Sequence, residues 1–352
     1  MQAERIIKGH RGALENPANR FEKIFLEPDA DWNPDEDVLP RTQFLTDHSA
    51  TVISHNKSPD LGFGASLNPY RGCEHGCIYC YARPTHEYLG FSAGLDFETK
   101  IMVKTRAPEL LRAELSSPKW VPQTVVMSGV TDCYQPVERK LKLTRRCLEV
   151  LAEFRNPVAI ITKNSLVARD IDLLSELAKF NAASVTVSVT TLDVKLRNVM
   201  EPRTSPPAAR LETIRKLAAA GIPVSVNVAP IIPGLTDHEM PKILQAAAAA
   251  GATSAGFTIV RLPHGDKDLF ESWLGANFPD RKEKVLNRIR AMRGGKLYDA
   301  EWGTRMRGEG IFAEQIAQMF EVARRKAGFK DDFPELSTAA FRRAGGEQLS
   351  LF

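Results

Sequence analysis

Short apolar runs alternate with longer amphipathic segments between residues 61 and 262. The runs are rich in Val, Ile and small apolar residues, which favours β-strands, and the segments between them have the spacing of amphipathic helices. This alternation is typical of repeated β–α units around a mostly parallel sheet. The predicted strands are 65–70, 124–130, 158–162, 184–190, 224–229 and 255–262, and the predicted helices between them are 108–115, 139–154, 166–180, 207–220 and 237–250.

Proline and glycine positions agree with these elements. Pro207 suits the first turn of a helix, and Gly221 and Gly251 suit helix C-termini. Six β–α units predict an α/β fold, a partial (β/α)6 barrel of the TIM type. In parallel barrels the reactive groups gather at the C-terminal ends of the strands, so the residues directly after each strand are the first candidates for chemistry.

The regions outside this core have different patterns. Prolines interrupt every apolar run in residues 1–60, which we interpret as a loop-rich extension that wraps the core formed by residues 61–263. Residues 264–330 are predicted to be helical, with helices at 267–274, 281–293 and 313–327. Residues 331–352 have no periodicity, and we expect a flexible tail there.

Composition narrows the class of protein. The chain has 352 residues, of which 43% are hydrophobic and 26% charged, as in folded globular proteins and unlike disordered chains, collagen or coiled coils. It contains no apolar stretch of about 20 residues that could span a membrane. The first ten residues lack the apolar region of a signal peptide, so we expect a cytoplasmic location.

Charge is unevenly distributed. Lys and Arg exceed Asp and Glu by only 47 to 43 over the whole chain, but by 13 to 6 between residues 281 and 330. This local excess suits a polyanionic partner and equally a solvated helical surface.

Three of the five cysteines, Cys73, Cys77 and Cys80, lie within eight residues directly after the first predicted strand. In a reducing cytoplasm such a cluster indicates metal ligation rather than disulfides. Three thiolates would leave one iron of a [4Fe–4S] cluster open to another ligand. A structural zinc site would need a fourth ligand, for which His75 and His86 are the nearest candidates.

The spacing C-x3-C-x2-C, with the aromatic Tyr79 just before the third cysteine, resembles the signature of the radical S-adenosylmethionine (SAM) superfamily. The resemblance extends over residues 61–262. Residues 68–73, 80–84, 128–138 and 219–224 are similar to the branch related to spore photoproduct lyase, often labelled DNA repair photolyases. The chain resembles the members of that branch without an assigned substrate more closely than the lyase itself.

The resemblance implies a cofactor and a reaction. A [4Fe–4S] cluster on Cys73, Cys77 and Cys80 would bind the amino and carboxylate groups of SAM at its open iron. Reductive cleavage of SAM would then give a 5′-deoxyadenosyl radical. A flavodoxin- or ferredoxin-type protein would supply the electron, and we expect the enzyme to be a monomer.

The resemblance also implies SAM-binding residues at the strand ends. Residues after the second strand would bind the methionine amine, and Lys163 after the third would meet the carboxylate. The candidate SAM-binding residues are Tyr79, Gly129, Thr131, Asp132, Lys163, Ser188, Arg203 and Asn227.

The hydrogen donor of spore photoproduct lyase is not matched in this sequence. In that enzyme a cysteine lies just upstream of the comparable polar–Asp pair, whereas this chain has Gly129 and Val130 there. Reversal of a thymine dimer is therefore in doubt. The candidate substitutes are Cys133, which we expect to face the reaction space, and Tyr134.

The last five residues, Gln348-Leu349-Ser-Leu351-Phe352, resemble the peptide by which bacterial repair proteins dock on the β sliding clamp. Leu351 and Phe352 would fill a pocket and Gln348 would fix the register by hydrogen bonds; Leu349 is the other partner-binding residue of the motif. The alternative is a terminus that packs its Phe on the domain.

The leading hypothesis is a radical SAM enzyme that acts on a DNA lesion or modified nucleobase. The alternatives are the same chemistry on a small molecule, tRNA or peptide, and a non-catalytic metal-bearing binding protein.

Overall fold

A computed structural model describes residues 11–22, 41–330, 333 and 335–343. The strands in these ranges are β1 (Gln43–Thr46), β2 (Ile53–His55), β3 (Ala65–Leu67), β4 (Tyr70–Arg71), β5 (Lys100–Val103), β6 (Val125–Met127), β7 (Val158–Thr162), β8 (Ala183–Ser188), β9 (Val224–Ile231) and β10 (Ser254–Ile259). The α-helices are α1 (Leu95–Thr99), α2 (Ala107–Ser116), α3 (Glu138–Leu141), α4 (Leu143–Phe154), α5 (Ile171–Ala178), α6 (Val194–Met200), α7 (Pro207–Ala219), α8 (Met240–Ala249), α9 (Asp266–Asn277), α10 (Pro279–Ala291) and α11 (Ile311–Lys326).

The main sheet has seven strands in the order β10-β9-β8-β7-β6-β3-β2. The first six run parallel to one another, and β2 adds an antiparallel edge beside β3. These six parallel strands are the six that the apolar runs predict. The mixed α/β fold with a mostly parallel sheet is therefore confirmed, and it is consistent with a partial barrel.

The two faces of the parallel strands differ in polarity. On β8, Val185 and Val187 are buried, whereas Ser184 and Thr186 between them are half-buried. The valines belong to the hydrophobic core that the helices cover, so the hydroxyl residues face the barrel interior. Near the N-terminal ends of β9 and β10, Ser225 and Ser254 are buried and their Oγ atoms lie 2.6 Å apart.

A second, three-stranded sheet of order β1-β5-β4 lies beside the barrel. Its strand β1, and β2 of the main sheet, lie in the region expected to consist of loops, so that expectation is wrong for residues 43–46 and 53–55. The reason is physical. Strand β1 is mostly exposed and has no buried face to give an alternating pattern, while its partner β5 is far away in sequence, with Gln43 opposite Lys100.

The C-terminal region contains the three predicted helices, as α9, α10 and α11. Beyond them, residues 335–343 form a segment that we call the strap. It crosses the N-terminal ends of the parallel strands, where Ser337 N donates to Asn181 O (2.8 Å) and Arg342 N to Phe154 O (2.9 Å). The expected flexible tail is therefore wrong for the strap. No helix in the described ranges is long and apolar enough to cross a membrane.

Candidate functional site

Residues 68–83 form the loop that carries the three clustered cysteines, which we call the cluster loop. It follows β3 at the C-terminal edge of the sheet, as the sequence predicts. Backbone bonds from Cys73 N to Phe97 O (2.9 Å) and from Ile78 N to Met200 O (3.1 Å) tie it to α1 and α6. All three thiols are free; those of Cys73 and Cys77 are buried, and Cys80 is partly exposed.

A buried ion pair supports the cluster loop from outside the barrel. Arg83 Nη2 lies 2.5 Å from Glu98 Oε1, and Arg83 Nε donates to Cys77 O (3.1 Å). The Glu98 carboxylate also accepts from Gly12 N and Ala13 N at 3.0 and 2.8 Å. A Cβ atom added to Gly12 would lie 1.7 Å from the Gly76 carbonyl oxygen. Residues 11–13 therefore fit against the loop only because position 12 is glycine.

A second buried network supports the loop from the barrel side and is centred on Glu201. Its Oε1 accepts hydrogen bonds from the Tyr79 hydroxyl and from Thr190 Oγ1 (2.6 Å). Lys163 Nζ lies 3.5 Å from the same oxygen. Oε2 pairs with the fully buried guanidinium of Arg210. The network joins the cluster loop to the ends of β7 and β8.

Glu201 is charged despite its burial. Burial alone would raise its pKa, but Arg210, Lys163 and hydrogen bonds from Thr190 and Tyr79 hold the pKa of this carboxyl well below its usual range. Neither Glu201 nor Arg210 is among the residues predicted from the sequence. A signal was present: Arg210 lies on the same helical stripe as the buried Ile214 and Leu217, where a charge needs a partner.

Asp132 links the ends of the neighbouring strands β6 and β7 to the cluster loop. Its carboxylate accepts from Thr162 Oγ1 and Lys163 N, both at 2.8 Å, and His75 Nδ1 lies 3.4 Å away. Lys163 Nζ in turn donates to the Ala229 carbonyl (2.7 Å). The side chain of Asp132 is thus engaged within the protein.

Thr131, another candidate, also uses its side chain internally, since Oγ1 donates to Tyr70 O (2.8 Å). The Gly129 carbonyl accepts from the Tyr81 hydroxyl (2.9 Å), and Arg203 pairs with Glu74 (3.0 Å).

Ser188 and Asn227 lie opposite each other on β8 and β9, Ser188 buried and Asn227 half-buried. The structure therefore brings Lys163, Ser188 and Asn227 to the C-terminal edge that carries the cluster loop.

Cys133 and Tyr134 do not face the barrel interior, which corrects the expected placement of Cys133. Both are fully buried in the hydrophobic core. The Tyr134 hydroxyl donates to Asp170 (3.0 Å), and burial raises the pKa of the Cys133 thiol well above its usual value. The turn after Asp132 directs both side chains into the core, which the order of residues along the chain does not reveal.

The two histidines near the cysteines are buried and neutral. Burial lowers the pKa of both His75 and His86 to about 4. His86 Nε2 lies 2.9 Å from the Lys100 carbonyl oxygen, and His75 Nε2 lies 3.1 Å from Asn164 Nδ2. Both ring nitrogens that make these contacts are thus engaged within the protein.

The donor set fits a larger iron–sulfur group. Three sulfur donors on one loop are the ligands that Fe–S clusters prefer. Burial raises the pKa of Cys73, Cys77 and Cys80. A bound cluster would provide the positive charge that favours their thiolates.

Comparison of the sequence with known proteins identifies a family. The model of the radical SAM superfamily matches residues 67–247. An uncharacterized protein of Mycobacterium tuberculosis is 40% identical over 247 residues, which cover 68% of this chain and 73% of that protein. An uncharacterized protein of Methanocaldococcus jannaschii is 31% identical over 173 residues, or 49% and 62% of the two chains.

Comparison of structures agrees on the fold. Spore photoproduct lyase complexed with dinucleoside spore photoproduct superposes with a TM-score of 0.56 at 16% identity, covering 81% of this chain and 78% of the lyase. A mutant of that lyase with bound AdoMet and the same photoproduct gives 0.53 at 17% identity, covering 81% and 77%. This chain thus belongs to the radical SAM superfamily: it is a radical SAM enzyme, of a family that uses a [4Fe–4S] cluster and SAM.

Proposed function

We propose that the enzyme cleaves SAM reductively at a cluster held by Cys73, Cys77 and Cys80, and that it acts on a DNA lesion or a modified nucleobase. One observation carries the first part. Three free thiols lie on a single loop at the C-terminal edge of the sheet, and buried ion pairs fix that loop from both sides. A preorganised loop of this kind can hold a cluster in one geometry.

The residues at the strand ends would orient SAM. A [4Fe–4S] cluster held on the cluster loop and reduced by an electron-transfer protein would supply the electron for reductive cleavage of the SAM sulfonium. Lys163, whose Nζ bonds with Thr190 and Ala229 near the barrel interior, would take the methionine carboxylate. Ser188, Asn227 and Arg203 remain candidates for the ribose, adenine or substrate.

The residues after β6 have a different role in this proposal. Because the side chains of Thr131 and Asp132 are engaged within the protein, this segment would offer backbone carbonyls, including that of Gly129, to the methionine amine. Cys133 and Tyr134, buried in the core, are not supported as hydrogen donors.

Electron paramagnetic resonance of the anaerobically reconstituted and reduced protein tests the cofactor assignment. We expect a cluster signal that changes when SAM is added and is absent in the triple variant Cys73→Ala, Cys77→Ala, Cys80→Ala. The matched control is Cys147→Ala, which removes a buried thiol of the core. Stoichiometric zinc with no inducible cluster would contradict the proposal.

The nucleic-acid substrate is supported by the motifs shared with the DNA repair photolyase-like branch and by the seven-charge excess in residues 281–330. Its test is the yield of 5′-deoxyadenosine, with dithionite or reduced flavodoxin as the electron source. Ultraviolet-irradiated oligonucleotides should increase the yield above that with undamaged DNA. An equal yield with both, and a higher one with tRNA or peptides, would favour the alternative substrates.

We also propose recruitment by the β sliding clamp through Gln348, Leu349, Leu351 and Phe352, which lie outside the described residues. The strap runs along the end of the barrel opposite the cluster loop, so a partner bound beyond it would not have to cover the cluster. The wild-type full chain should bind purified clamp. Binding should be lost in the double variant Leu351→Ala/Phe352→Ala and retained in the control Glu347→Ala. Equal binding by all three proteins would contradict clamp recruitment.

A further inference from the structure

Two arginines lie near each other at the C-terminal end of β10. Arg261 follows β10, and Arg293 follows α10. In the described part of the chain neither forms an ion pair, and the Nε atoms of both are buried and have no hydrogen-bond partner. Asp299 is the acid that acts on Arg293, but its carboxylate accepts from Thr304 Oγ1 and Glu301 N instead.

The environment of Arg293 makes this arrangement unfavourable without a ligand. Arg293 is only 4% exposed, and its Nη atoms donate to the carbonyls of Val260 (2.9 Å) and Thr304 (3.4 Å). Burial and the neighbouring charge of Arg261 lower the pKa of Arg293. A buried donor without an acceptor, beside a like charge, is destabilising unless an anion completes the site.

Arg261 connects this pair to the mouth of the barrel. Its guanidinium carbon lies 5.2 Å from the ring centroid of Tyr81, which follows the last cysteine of the cluster loop. The Tyr81 hydroxyl reaches Gly129 at the end of β6, and its side chain is 46% exposed. Among the described residues, the Arg261 guanidinium donates one weak hydrogen bond, from Nη1 to the Met306 sulfur (3.5 Å). The Arg261 guanidinium, which has no ion pair among the described residues, thus lies over one face of the Tyr81 ring next to the cluster loop and leaves the other face of the ring for a ligand.

We propose that Arg261 and Arg293 bind a phosphodiester of a nucleic-acid substrate, while Tyr81 stacks on an adjacent base. Guanidinium forks match phosphate oxygens, and aromatic side chains at a groove provide sequence-tolerant stacking for bases. The inference rests on the proposed function and deepens it, since it distinguishes a nucleotide substrate from an uncharged metabolite or a peptide.

Binding of a fluorescein-labelled single-stranded DNA 10-mer to the anaerobic, cluster-loaded enzyme tests the proposal by fluorescence anisotropy. The variants are Arg261→Gln and Arg293→Gln, and the matched control is Arg290→Gln, which removes the same charge from α10 at a residue paired with Asn287. We expect each variant to weaken binding about tenfold and the control less than about twofold. The slope of log affinity against log salt should decrease by about 0.7 when one phosphate contact is lost.

Three outcomes would overturn the proposal. The first is an equal loss in the variants and the control, and the second is wild-type affinity in both variants. The third is equal binding of a neutral methylphosphonate 10-mer. Inorganic phosphate and thymidine monophosphate serve as competitors: if they bind the pair but the 10-mer does not, the site takes a free phosphorylated metabolite and the nucleic-acid assignment is wrong.

Two controls keep the result interpretable. Because Arg293 is buried, circular dichroism checks the fold of its variant, and Arg261→Gln decides the question if Arg293→Gln does not fold. SAM cleavage by the wild-type enzyme without DNA is measured in parallel. A wild-type enzyme that cleaves no SAM contradicts the proposed function, whereas loss of phosphate-dependent binding in the variants would still support the arginine site.

Discussion

Glu201 shows how much of the site depends on one buried charge. It accepts hydrogen bonds from Tyr79 of the cluster loop and Thr190 of the barrel, and it balances both Arg210 and Lys163. One carboxylate against two cations leaves a positive balance beside the barrel interior. That balance suits the carboxylate of SAM, since a second anion would complete the charge pairing.

Replacing Glu201 by Leu should strongly destabilise the protein, because Arg210 would remain buried without a counter-ion. We expect a loss of about 3–5 kcal/mol in the free energy of unfolding, measured by urea denaturation. The matched control is Glu212→Leu on α7, the helix that carries Arg210; its pair with Arg215 is largely exposed, so we expect a much smaller loss than in Glu201→Leu. Similar losses in the two variants would contradict the assigned role of Glu201.

Lys163→Met should separate SAM binding from cluster assembly. Without the ammonium group we expect SAM affinity to fall at least about tenfold, since a charge-assisted hydrogen bond is lost. Iron content should stay at the wild-type level because Lys163 is not a cluster ligand in this scheme. A SAM titration followed by electron paramagnetic resonance measures the affinity, and unchanged affinity would exclude Lys163 as a carboxylate ligand.

Among the secondary-structure elements, the cluster loop is held in place by segments far from it in sequence, which contact it on both sides. Residues 11–13 and Glu98 support it from outside, while the segment after α6 supports it from the barrel side. The N-terminal contact depends on the absence of a side chain at Gly12. The loop therefore depends on residues far from it in sequence.

Gly12→Ala should disrupt this contact, because the added methyl group would meet the Gly76 carbonyl at 1.7 Å. We expect a destabilisation of about 1–3 kcal/mol and a faster loss of iron to a chelator. Gly62→Ala is the control, since nothing lies within 4 Å of a Cβ atom at that position. Thermal unfolding and chelator kinetics measure both variants, and wild-type behaviour of Gly12→Ala would show that the N-terminal segment does not support the loop.

The elements also show where sequence reasoning works. The six parallel strands were predictable because each is a short apolar run between amphipathic helices, and the cluster loop because three cysteines have a specific spacing. Strand β1 was not predictable, since its pairing with β5 depends on residues far away in sequence. The burial of Cys133 was not predictable either, because a turn, and not the position of the residue after β6, decides the direction of its side chain. Glu201 could have been found through its partner on the buried stripe of α7.

At the scale of the whole molecule, the stability should depend on mildly acidic pH. His86 is buried with its Nδ1 atom unpartnered in the described structure, and burial lowers its pKa from 6.5 to about 4. Between these values the unfolded chain binds more protons than the folded one, so stability falls as pH decreases through this window.

His86→Gln should reduce this acid sensitivity. Wild type should lose about 2 kcal/mol more than the variant between pH 7 and pH 5. Urea unfolding of wild type and variant at both pH values measures this difference. Because the two proteins are compared, a contribution from any other group that they share cancels. His238→Gln, at an exposed position, should retain the wild-type dependence. The same pH profile in wild type and His86→Gln would show that another group governs acid stability.

The strap has a consequence for the order of events in each turnover. It crosses the N-terminal ends of β7 and β8, and Ser225 and Ser254 are buried near the same ends of β9 and β10, so the described residues cover this end of the barrel. We therefore expect SAM, substrate and products to use the end of the barrel beside the cluster loop. We expect SAM to enter before the substrate and 5′-deoxyadenosine to leave after the product of the substrate. Steady-state kinetics would be ordered, with 5′-deoxyadenosine competing against SAM.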